Sequence, residues 1–86
     1  MATIIPITQS FLIDLFYEIE LKLEKARKRR SAALSVHALK DSMRAITGIL
    51  DERRLAIDLA LTHRFDARSL MDEAHLKFLE IQDAPH

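Results

Sequence analysis

Apolar residues recur at three- and four-residue spacing over almost all of residues 7–84, a stretch broken only by Gly48 and flanked by Pro6 and Pro85. That period is helical, because 3.6 residues per turn bring positions i, i+3, i+4 and i+7 onto one face. The first helix is predicted over about residues 8–30. Thr8 has the side chain of an N-cap, and Ile7 and Leu12 are spaced to form a hydrophobic staple across it. Leu12, Phe16, Ile19, Leu23 and Ala26 make its main stripe, which Phe11 and Leu15 widen. A separate row, Ile13, Tyr17 and Leu21, lies roughly opposite. A helix that is apolar on two sides should have two neighbours.

Ser31 or Ser35 is placed to cap the next segment, on which Val36, Leu39, Met43, Ile46, Leu50, Ile57 and Leu61 share one stripe. Gly48 falls away from that stripe, so two readings stand. One is a single helix over residues 35–64, roughly 45 Å long at 1.5 Å per residue and suited to an intertwined dimer. The other is a pair of helices hinged near residues 47–51, giving a monomeric four-helix bundle. Leu55 and Leu59 form a further apolar strip on the side that carries His37 and Gly48. A last helix, over residues 66–82 with Asp66 as its N-cap, presents Ala67, Leu70, Met71, Ala74, Phe78 and Ile81 on one side. Residues 1–7, β-branched and containing Pro6, predict an extended arm. The expected architecture is an all-α antiparallel bundle of three to four helices in one domain over residues 1–86, with dimerisation as a route to completing its core.

Composition narrows the chemistry. Eighty-six residues bury only a modest core, which favours self-association. With no cysteine, disulfides, thiolate metal sites and a cysteine nucleophile are all excluded, and a reducing cytoplasm is the expected setting. The first thirteen residues carry no charge and fit neither a signal peptide nor a bilayer span. Thirteen basic residues balance thirteen acidic ones. The one strong basic run, Lys25 and Arg27 to Arg30, lacks interleaved aromatics and suits the negative end of the first helix dipole, which argues against nucleic acid as a partner. Asp72 with His75, and His63 with Asp66, are each three apart, but neither pair has further metal ligands in view. No serine has a paired base at a recognisable spacing. No metal and no cofactor is therefore expected. The rows Ile13/Tyr17/Leu21 and Leu55/Leu59 are apolar surface beyond what one bundle stripe needs, and are the expected contacts with a second copy or another protein. The leading expectation is a small non-catalytic interaction or regulatory module.

One string suggests a different role. On a helix His37, Asp41 and Arg44 share a face opposite Leu39, Met43 and Ile46, with Lys40 at its edge, which puts an imidazole in water beside cations. His37, Leu39, Lys40, Ser42 and Ile46 resemble the active helix of the histidine-containing phosphotransfer domains of bacterial phosphorelays, approximately H-x-L-K-G-S before an apolar residue and a glycine. The resemblance implies that His37 accepts a phosphoryl group from a receiver domain with Lys40 assisting. Asp41 and Thr47 stand where that family has glycines, and a carboxylate at Asp41 repels an incoming phosphoryl group. The string is also similar to the phosphoacceptor helix of sensor kinases, through His37, Leu39, Lys40, Ala45, Ile46 and Gly48.

Overall fold

The computed structural model describes residues 7–83, so the expected arm lies outside the described residues except for Ile7. Three helices make up the fold: α1 (Gln9–Ser31), α2 (Val36–Thr62) and α3 (Ala67–Asp83). It is an all-α three-helix bundle, with no strand among the described residues.

Each start is capped by a short polar side chain. Thr8 Oγ1 accepts from the Phe11 amide at 3.1 Å, and Ser35 Oγ accepts from the Ala38 amide at 3.1 Å, so Ser35 and not Ser31 caps α2. Ile7 packs against the buried cluster that holds Leu12, as the staple requires. Asp66 accepts from the Arg68 and Ser69 amides, and its second oxygen takes the Ser69 hydroxyl at 2.7 Å. Those bonds, the Ser69 hydroxyl above all, hold the Asp66 carboxyl below its ordinary value.

α2 is continuous through Gly48, which settles the choice between one helix and two. The Thr47 hydroxyl donates to the Met43 carbonyl at 3.0 Å, one helical turn back, so the segment that the second of those readings hinges is bonded as ordinary helix. The helix stops two residues earlier than its pattern, through backbone geometry that the pattern does not show. Arg64 adopts a φ of 65°, its amide donates to the Leu61 carbonyl at 3.0 Å, and the Phe65 amide donates to the Ala60 carbonyl at 2.9 Å. These two bonds make a Schellman motif closed by arginine where glycine is usual.

α1 is the central helix: it packs against both others, while α2 and α3 barely touch. All five residues of its predicted stripe, Leu12, Phe16, Ile19, Leu23 and Ala26, are buried. From α3, Ala67, Leu70, Ala74 and Phe78 are buried with them, whereas Ile81 is exposed. The α2 stripe departs from expectation. Val36, Leu39, Met43, Leu50 and Leu61 are exposed, and the α2 residues that are buried are Ser42, Ala56 and Ala60, about a quarter-turn away. Small side chains let α2 approach α1 closely, and Ser42 satisfies its hydroxyl on the Ala38 carbonyl at 2.9 Å. α3 meets the stripe near its middle, where the Arg53 guanidinium lies 3.5 Å from the Met71 sulfur, and Ile57 joins the core. Among the described residues, none covers Val36, Leu39, Met43 or Leu50 of the stripe. The Cα radius of gyration is accordingly 15.4 Å, against about 12 Å for a compact chain of this length.

Candidate functional site

The largest unexplained feature is this open half of α2. Val36, Leu39, Met43 and Leu50 are 69, 38, 51 and 45 % exposed, with Ile46 half-buried among them and Leu34 fully exposed just before the helix. Their spacing, 36, 39, 43, 46 and 50, is the alternation of three and four that forms a coiled-coil seam. Exposed apolar surface on this scale, on the order of several hundred Å², marks an interaction site. Lys40 and Asp51 border the stripe on its solvent side, both exposed, and neither takes part in an ion pair among the described residues.

The rows expected as contacts fall elsewhere. Ile13 and Tyr17 are half-buried by the chain's own packing, on the side of α1 that receives α3. Lys77 reaches across to Asp14 at 2.7 Å and stands 4.9 Å over the Tyr17 ring, while His75 Nδ1 lies 3.6 Å from Glu20. Asp14 draws the Lys77 ammonium above its ordinary value by favouring its charged form. Leu21 is half-buried at the end of that row. Leu55 and Leu59 line an open groove of about 320 Å³ between α1 and α2, together with Leu15, Ile19, Ala56 and the Lys22–Glu52 pair, whose charges are 3.2 Å apart. Leu55 is exposed and Leu59 packs against the core.

His37 sits in the first turn of α2 with its side chain 89 % exposed, and its Nε2 is 3.5 Å from Asp41 Oδ2. Lys40 is exposed one turn along. Among the described residues no three His, Asp or Glu side chains converge as a metal site would need, and no helix is long and apolar enough to cross a membrane. Compared with protein-family models, curated proteins and solved structures, the chain matches none.

The balanced net charge conceals a strong polarity. Eight of the thirteen Lys and Arg residues, but only two of the thirteen Asp and Glu, lie within residues 22–44, an excess of six positive charges. The remainder of the chain carries the matching excess of six negative charges. Because α1 and α2 run antiparallel, with Lys22 beside Glu52, the end of α1 and the start of α2 share one end of the molecule and make it basic. A count over the whole chain misses this, and a count along the chain would have found it. The open stripe was visible as a pattern but read as core, because spacing alone does not say which of two faces a neighbour will cover.

Proposed function

We propose that this chain is a small non-catalytic interaction module that works by self-association. The observation that carries the reading is the uncovered stripe of Val36, Leu39, Met43, Ile46 and Leu50, in a chain whose radius of gyration exceeds that of a closed globule. A domain this size buries a smaller fraction of its surface than a larger one does, and association adds to that burial without new secondary structure. The rows Ile13/Tyr17/Leu21 and Leu55/Leu59 are secondary candidates for contact, the second lining a groove able to receive apolar side chains. Sedimentation equilibrium over a wide concentration range tests the reading. A mass that rises from one chain toward a defined multiple supports it; a single-chain mass throughout refutes it.

A second reading, a phosphohistidine carrier serving a receiver domain, draws support from the exposure of His37 and Lys40 on adjacent turns. The Asp41 carboxylate beside the imidazole opposes it. Intact-mass analysis after exposure to phosphoramidate, with His37→Ala alongside, tests it: the reading requires one phosphoryl increment that the variant lacks.

A further inference from the structure

We infer that two copies of this chain dock antiparallel through the first half of α2, about a two-fold axis near Arg44 and Ala45. The inference rests on the self-association reading above and specifies its interface. Three observations converge on it. Among the described residues the seam of Val36, Leu39, Met43, Ile46 and Leu50 is exposed over about four helical turns apart from the half-buried Ile46, and its spacing is self-complementary: in an antiparallel pair Met43 packs beside Ile46 of the second copy, and Leu39 beside its Leu50. The fully buried side chains of α2, Ser42, Ala56 and Ala60, are small, and the seam lies about a quarter-turn from them, so a second helix seats there without displacing α1.

Charge selects both the occupant and its direction. Parallel docking sets each Lys40 level with its copy and each Asp51 level with its copy, like charge beside like, whereas antiparallel docking brings unlike charges together. At the level of single residues, Lys40 and Asp51 are eleven positions apart, three helical turns, and so border the same flank of the seam. The axis set by the seam pairs lies one residue, about 1.5 Å, from their midpoint, and so brings each Lys40 close to the level of the Asp51 of the second copy, on both sides of the axis. Neither residue has an ion-pair partner within the described part of its own chain. A stable interface needs about 800 Å² from each partner. The exposed apolar seam supplies its dry centre, and Lys40, Arg44 and Asp51 its polar rim.

The test is sedimentation of the full chain and variants, with far-UV circular dichroism confirming that each remains helical. The wild type is expected to sediment as a dimer. Leu39→Glu and Met43→Glu each weaken the dimer at least about tenfold, while Leu76→Glu, which alters an exposed leucine on α3, leaves it unchanged. Lys40→Glu and Asp51→Lys each weaken it several-fold, and the double variant restores it. A dimer indifferent to Leu39→Glu and Met43→Glu overturns the inference while leaving self-association standing. Sensitivity to those variants without recovery in the charge-swapped double variant overturns the antiparallel arrangement. A wild type that stays monomeric at every concentration overturns both the interface and the self-association reading.

Discussion

Gly48→Ala measures directly whether α2 is one helix. Gly48 lies near the middle of that helix, is exposed and has no positive φ, and a Cβ added there meets nothing within 4 Å. The substitution therefore costs no strain and no collision. It reduces the conformational entropy of the unfolded chain and raises the helix propensity of the folded one, which stabilises the protein by about 0.5–1 kcal/mol. For a domain of this size that is a rise in Tm of about 2–8 °C. Gly48 also lies across the helix from the proposed seam, so the dimer constant should not change. Gly48→Pro is the opposing perturbation: within a continuous helix it removes one hydrogen bond and collides with the preceding turn, costing about 3 kcal/mol. Urea unfolding followed by circular dichroism at 222 nm reads both, at a protein concentration where the association state is the same for each variant. The reasoning fails if alanine leaves the midpoint unchanged or lowers it while proline is tolerated, because that pair of results describes a hinge at residues 47–51.

Three further outcomes follow from the packing. Leu12 is fully buried at the centre of the cluster, so Leu12→Ala should destabilise by about 3 kcal/mol and lower the urea midpoint at constant slope; a loss below about 1 kcal/mol would remove Leu12 from the core. Arg64→Gly should stabilise by about 1 kcal/mol, because glycine takes the left-handed conformation at the end of α2 without the Cβ collision that arginine suffers; equal stability in a thermal melt would count against the Schellman geometry. The Asp66 carboxyl is held below its ordinary value of 3.8, so its contribution is complete above that pH and disappears as pH falls through the lower folded value. Urea midpoints from pH 2 to 5 should fall less steeply in Asp66→Asn, which keeps a capping oxygen but does not titrate; identical slopes would show that the cap is not charge-dependent.

Much of the fold is local and was legible as such. The helices follow from the apolar period; Thr8 and Asp66 mark their starts because a short oxygen-bearing side chain there bonds amides left free by the helix, and the α1 stripe follows because five large or small apolar residues on one face leave that face no alternative to burial. The two apolar sides of α1 predict two neighbours without naming them; the row Ile13/Tyr17/Leu21, expected to meet a second copy or another protein, instead faces α3. What the sequence left open is what depends on distance. The alternatives at Gly48 differ by about 1 kcal/mol of local preference, too little to decide without the neighbouring helix. The end of α2 lies in the φ of Arg64, which its residue type disfavours. On α2, the apolar seam and the small-residue face of Ser42, Ala56 and Ala60 both had helical spacing, and only the approach of α1 chose the second for the interior. That choice left the first exposed. Residue types and spacing thus determined the helical segments, the caps at Thr8 and Asp66 and the core face of α1. The tertiary structure decided which face of α2 stays in water, because burial requires a partner surface, and the described helices supply one only to the small-residue face.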